Sequence, residues 1–305
     1  MLKFLFKGII RDRLLPMIVV TIWALLSSNA LLFGQQISGT VFEIDGKTPV
    51  EFVNIGVVGK NVGTVSDRNG NYTLQIPSEF HDDTLKFSSI GYYPYSVKVS
   101  DFINLNNGNV CLELRAYDLS EVVVRPRSGR QRILGNTSRF RVRSRNWSNT
   151  CPRINSNGYE FGRIIRNENS VLINELYINI ESMASDSLSL RINIYKVLNE
   201  NEKQFENILN RPILINISKQ EIRNRITIDI RHHYLVVEGD FLVTLESYHN
   251  VNSGYFCVSA DRRELTPQYS RNTSQGIWQT STDIVGAEFG YRGSGLSVAA
   301  LVEER

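Results

Sequence analysis

Apolar and polar residues alternate with a period of two along most of this chain, and Gly, Pro, Asn and Asp break the alternation at short intervals. In the first third the extended runs are residues 37–44, 50–58, 62–66, 72–76, 85–88, 95–99, 110–114 and 121–124. Tyr72, Leu74 and Ile76 alternate with polar residues, and Pro77 closes that run. Before it, Asp67-Arg68-Asn69-Gly70 predicts a tight hairpin turn, because Asn-Gly accepts positive φ at low cost. Seven or so short strands at this spacing predict a small β-sandwich over 35–124.

From residue 158 onward the alternation is stronger. Leu188, Leu190, Ile192 and Ile194 alternate with Ser189, Arg191 and Asn193. Ile226, Ile228 and Ile230 do so with Thr227 and Asp229, and Phe241, Val243 and Leu245 with Leu242 and Thr244. Such runs predict strands with one buried face. About eight of them, with no helical period, predict a jelly-roll-like β-sandwich over 158–305. Residues 203–209 read as one short helix, and His232-His233 as adjacent strand residues pointing to opposite faces. The intervening 125–157, rich in Arg, Gly, Ser and Asn, reads as a linker. The fold class is therefore all-β, two sandwiches in series.

Composition and charge add a compartment. The 305 residues are 42% hydrophobic and 21% charged, with mean hydropathy −0.19, a globular balance. Residues 14–33 form an apolar run interrupted by Pro16, Ser27, Ser28 and Asn29, preceded by Lys3, Lys7, Arg11 and Arg13. This pattern predicts a signal peptide over 1–34 and export to the periplasm or outer membrane. Ser28-Asn29-Ala30 suits cleavage after Ala30, with Gly34 as the other candidate and an uncleaved anchor as the competing reading. The chain holds 34 Lys+Arg and 31 Asp+Glu; without residues 1–34 each count is 30. A neutral mature protein gives no reason to expect a nucleic-acid partner.

Residues 125–166 carry eleven Arg against the single acid Glu160, so the rest of the mature chain is net negative. Within it Arg139, Arg141, Arg143 and Arg145 alternate with Phe140, Val142 and Ser144, which as a strand places four guanidinium groups on one face. Two readings stay open: a charged edge strand that resists edge pairing, or an anion-contact stripe toward an anionic lipid or lipopolysaccharide surface.

The run Ile37-Ser38-Gly39-Thr40-Val41, then Gly46-x-x-Pro49-Val50-x-x-Val53-Asn54-Ile55, resembles the carboxypeptidase-regulatory-like domain of Bacteroidetes envelope proteins. Gly63-Thr64-Val65-Ser66-Asp67-x-x-Gly70-x-Tyr72, Ile90-Gly91-Tyr92 and Leu119-Ser120-Glu121-Val122-Val123-Val124 continue the resemblance. It implies a prealbumin-like (Ig-like) seven-stranded sandwich. In that family the domain often precedes the plug and barrel of a TonB-dependent receptor. Here about 180 residues follow Val124, too few for roughly twenty strands of 9–11 residues, so receptor function does not carry over. The C-terminal half resembles companions of that domain with no established activity, through Leu134-Gly135-Asn136, Arg191-Ile192-Asn193-Ile194-Tyr195 and Ser274-Gln275-Gly276-x-Trp278.

Motifs for chemistry are scarce. A zinc peptidase needs His-x-x-Glu, and none of His81, His232, His233 and His249 has Glu three residues on. There is no Gly-x-Ser-x-Gly elbow and no phosphate-binding loop. No catalytic residue, metal ligand or cofactor is expected. Three scattered cysteines, Cys111, Cys151 and Cys257, permit at most one disulfide, and Cys257 reads as a small core residue. Tyr92, Tyr93 and Trp278 are the candidate aromatic contacts, with core packing as the competing reading. The expected role is a non-enzymatic binding or assembly module whose partner is an envelope protein or a glycan. The alternative is a glycan-binding or glycan-processing protein, which would need two carboxylates that meet only in space.

Overall fold

The computed structural model describes residues 34–104, 107–115, 129–138, 153–154, 157–248, 254–261, 266–281, 283 and 295–305. The first sandwich has β1 (Gln35–Glu43), β2 (Asn54–Val57), β3 (Gly63–Val65), β4 (Asn71–Ile76), β5 (Thr84–Ser88), β6 (Tyr95–Lys98), helix α1 (Val99–Asn104) and β7 (Val110–Leu112). Seven strands form two sheets, ordered β4–β1–β7 and β3–β2–β5–β6. In β4 every second residue, Tyr72, Leu74 and Ile76, is buried. These pack with Val41, Ile55, Leu85 and Phe87 in one core. Gly70 takes φ +75° in the expected turn, and Asp67 Oδ1 accepts from Asn69 N and Asn71 N at 2.8 Å each. The strands it joins enter opposite sheets, so it is a corner and not a two-strand hairpin. The run at 121–124 lies outside the described residues.

The second sandwich begins earlier than expected. Its strands are β8 (Gln131–Gly135), β9 (Arg153–Ile154), β10 (Glu160–Ile165), β11 (Ser170–Ile178), β12 (Ile180–Met183), β13 (Ser187–Asn199), β14 (Gln204–Asn207) and β15 (Ile213–Ser218). After these come β16 (Ile226–Asp229), β17 (Val236–Glu238), β18 (Phe241–Ser247), β19 (Gly254–Val258), β20 (Ala260–Asp261), β21 (Gln268–Arg271), β22 (Gln279–Thr280), β23 (Gly295–Leu296) and β24 (Val298–Glu304). The larger sheet runs β14–β13–β18–β10–β21–β22, with β15 also on β13; the facing sheet runs β16–β11–β24–β8, with β17 also on β11. Their inner faces share one core that includes Ile192, Ile194, Val243, Phe161, Leu176 and Val302. Part of the expected linker is thus structured, since β8 pairs with β24 from Gln131 to Gly135.

Two local expectations are corrected, and the state of the cysteines, which the sequence left open, is defined. Residues 203–209 are not a helix: Gln204–Asn207 is β14, paired with β13, and Phe205 packs beside Tyr195, Tyr269 and Trp278. His232 and His233 sit on a 3-10 turn, Arg231–His233, with ring centroids 4.3 Å apart. Cys257 is buried, as expected of a core residue, but it is also disulfide-bonded, while Cys111 is an exposed free thiol. No helix of the described residues is long and apolar enough to cross a membrane.

Candidate functional site

The outer face of the larger sheet is buried as well, and this the alternation did not predict. Arg191, Glu246, Glu160 and Arg271 are in register on four adjacent strands, β13, β18, β10 and β21. They form a row of charges reading plus, minus, minus, plus. Both glutamates are fully buried and Arg191 is 3% exposed. Like charges directly opposite one another destabilise a sheet, and the neighbours here offset that. Arg191 grips Glu246 with two bonds, Nε to Oε2 at 2.9 Å and Nη2 to Oε1 at 2.7 Å. Arg271 Nε donates to Glu160 Oε2 at 2.7 Å, and its Nη2 lies 2.6 Å from the same oxygen in an ion pair. Asn193 Nδ2 donates to both carboxylates, at 2.9 Å to Glu160 Oε1 and 2.7 Å to Glu246 Oε2. Tyr195 and Thr244 hydroxyls donate to Glu160 Oε1 as well.

These contacts shift the titrations of Glu246 and Tyr195. Burial would raise the Glu246 pKa, but the Arg191 charge and hydrogen bonds, the Arg271 charge and the Asn193 bond together outweigh it and hold that carboxyl below the usual carboxylate range. Burial first, and then the Glu160 charge, push the Tyr195 phenol well above its ordinary value. Every oxygen of the two carboxylates accepts at least one hydrogen bond, so neither is presented to an external proton or sugar carbon.

The same row joins the two sandwiches. Arg191 Nη1 donates to Phe52 O at 2.8 Å, and Nη2 donates to Asn54 Oδ1. Phe52 packs edge-on against Tyr248, with centroids 4.5 Å apart. The loop after β21 is clamped against the β2–β3 turn: Gly59 N donates to Gln275 O at 3.0 Å, and Gln275 Nε2 to Ser88 Oγ at 2.7 Å. Gln275 takes φ +65°, an uncommon conformation for a residue other than Gly. A Cβ on Gly56 or Gly63 would lie 2.3 or 2.5 Å from Ser274 O, so this close approach requires glycine at both positions.

Beside this junction lies a cleft of about 360 Å³ with one wall from each sandwich. The first sandwich contributes Lys86, Tyr92 and Arg115, and the second contributes Arg271, Asn207 and Trp278. Trp278 is held by Tyr195 and Phe205, each roughly perpendicular to it at 5.7 and 5.4 Å, and by the Arg271 guanidinium 4.8 Å from its ring centroid. The Tyr92 hydroxyl donates to Glu43 Oε1 at 2.9 Å. Burial first, and then this bond, raise its pKa to about 12.

Of the expected aromatic contacts, the fold brings Tyr92 and Trp278 to one cleft from opposite domains. Tyr93 is exposed on the surface with Arg115 5.9 Å from its ring centroid. Arg139, Arg141, Arg143 and Arg145 lie outside the described residues. Other arginines of the basic segment are held by acids or carbonyls of the second sandwich. Arg166 pairs with Glu200 at 2.6 Å and Asp240 at 2.7 Å, Arg132 with Glu304 at 3.1 Å, and Arg163 Nη1 donates to Leu296 O. No group of three His, Cys, Asp or Glu that could hold a metal occurs among the described residues. Sequence reasoning missed Lys86, Asn207 and Arg271. The available signal was the polar stripe Arg191-x-Asn193-x-Tyr195 on one face of a single strand.

The CarboxypepD_reg-like domain family matches residues 37–124, so the first sandwich is a domain of that family. TonB-dependent receptor P3 of Formosa agariphila is 32% identical over 90 residues, which is 30% of this chain and 8% of the receptor. The chain therefore spans only a small part of that relative's length.

Proposed function

We propose that this is an exported, non-enzymatic binding protein of the cell envelope, whose ligand sits in the cleft between its two sandwiches. The observation that carries the reading is the construction of the cleft. Its two walls come from different domains, and a buried charge row whose carboxylate oxygens are all hydrogen-bonded ties them together, so the floor is preorganised. The likeness of one domain to part of a TonB-dependent receptor supports an envelope setting. The disulfide at Cys257 supports an oxidising compartment.

Glycan processing is the second reading, because Glu160 and Glu246 are close enough to share Asn193 Nδ2. Hydrolysis needs one carboxyl that gives a proton and one with an open lone pair. The occupied oxygens and complete burial of both groups favour binding over hydrolysis. The test is titration of the purified protein with a panel of neutral and acidic oligosaccharides and short peptides, read by tryptophan fluorescence and calorimetry. At least one class is expected to shift the emission, and Trp278→Phe to lose that shift. No new reducing ends should form over hours. Release of new ends would overturn the non-enzymatic reading, and silence of the whole panel would overturn the cleft as the site.

A further inference from the structure

The residues lining the cleft include Lys86, Arg115, Arg191 and Arg271 and no carboxylate. Two of these cations are answered from beneath, Arg191 by Glu246 and Arg271 by Glu160. Lys86 is half-buried, on β5, and has no carboxylate partner among the described residues. Arg271 directs Nε and Nη2 into Glu160 and Tyr195, and its Nη1 donates to no group among the described residues. The cleft therefore presents an ammonium and a guanidinium edge from opposite walls, on a floor that cannot rearrange to neutralise them.

The remaining lining is hydroxyl, amide and aromatic, with Ile90, Gly91, Pro94 and Leu209 between these groups. Ser88, Ser89 and Asn207 can donate and accept toward vicinal hydroxyls, and Tyr92 and Trp278 offer amphipathic rings. The volume of about 360 Å³ lies in the range of small-ligand sites, about 300–1,000 Å³.

Resting on the binding reading above, we infer that the cleft takes an acidic saccharide. Lys86 and Arg271 Nη1 hold its anionic group, Asn207 and the two serines meet its hydroxyls, and Tyr92 and Trp278 contact the ring. Phosphopeptides fit less well, because the three arginines of the lining are already engaged by other groups of the protein, whereas phosphate recognition takes a cluster of free guanidinium forks.

The experiment compares two probes that differ only in charge, an oligogalacturonate trimer and the same trimer after carboxyl reduction. Calorimetry on the full chain at low salt is expected to show the acidic form binding at least about tenfold tighter, with the difference shrinking as salt screens it. Lys86→Gln should lower affinity for the acidic trimer about three- to tenfold and leave the reduced trimer unchanged, as loss of one charge contact requires. Lys47→Gln, at an exposed lysine that does not line the cleft, should change neither. Equal affinity for the two trimers would overturn the acidic preference while leaving the cleft a binding site. Failure of both trimers and of every oligosaccharide in the broader panel, while its peptides bind, would overturn the saccharide class. Inorganic sulfate competing as well as the trimer would show a simple anion site and overturn the ring contacts.

Discussion

His233 is buried to 4% exposure, with an Nδ1 that meets no partner among the described residues. It closes a 3-10 turn whose next residue, Tyr234, takes φ +51°. Neither feature follows from the local pattern, which reads as strand, because the turn is set by how β16 hands over to β17. Burial first, and then the nearby charges of His232 and Arg211, push the His233 pKa down to about 4. An unfolded histidine titrates near about 6.5. Between those values the unfolded chain binds more protons than the folded one, so stability falls as pH falls through the window and the loss levels off near pH 4. The unfolding temperature is therefore expected to drop between pH 6.5 and 4, and His233→Leu should flatten that slope. A variant that keeps the parental slope would show that other groups set it.

At the scale of elements, what the sequence reveals depends on which neighbours a strand acquires. The seven strands of the first sandwich are legible because period-two runs and turn residues coincide, as with Tyr72, Leu74 and Ile76 before Pro77. β14 is not legible. Its Gln, Glu and Asn favour helix or turn locally, and pairing with β13 overrides them. The charge row is illegible for a different reason. Alternation places Arg191 and Asn193 on a polar face, and a polar face reads as solvated until a second domain covers it. Glu160 and Arg271 meet across 111 residues of chain, so no local spacing announces them. Removing one partner of a buried pair costs about 3–5 kcal/mol, because the other charge stays buried. Arg191→Met should lower stability by about that much, measured as a shift of the urea midpoint. It should also open the interdomain junction to protease, because the donors to Phe52 O and Asn54 Oδ1 disappear with the guanidinium. The double variant Arg191→Met, Glu246→Leu should recover part of the stability and none of the junction. Full recovery of protease resistance in the double variant would show that Arg191 does not join the domains.

The whole molecule connects charge, redox state and destination. Among the described arginines of its basic segment, Arg166 is matched by Glu200 and Asp240 and Arg132 by Glu304. Residues 1–34 have a basic start, an interrupted apolar run and Ser28-x-Ala30, the pattern expected of a leader. Its cysteines differ in state, with Cys257 oxidised and Cys111 a free, exposed thiol. A structural disulfide persists in the periplasm and is reduced in the cytosol, so processing and oxidation should report the same route. Protein recovered from the envelope is expected to begin at Leu31 or Gln35. Iodoacetamide added under native, non-reducing conditions should label Cys111 and leave Cys257 unlabelled, with Cys257 reacting only after reduction and unfolding. Met1 at the N-terminus of the envelope form would refute cleavage. Label on Cys257 in non-reduced, denatured protein from the envelope would refute the disulfide, and with it the redox support for export.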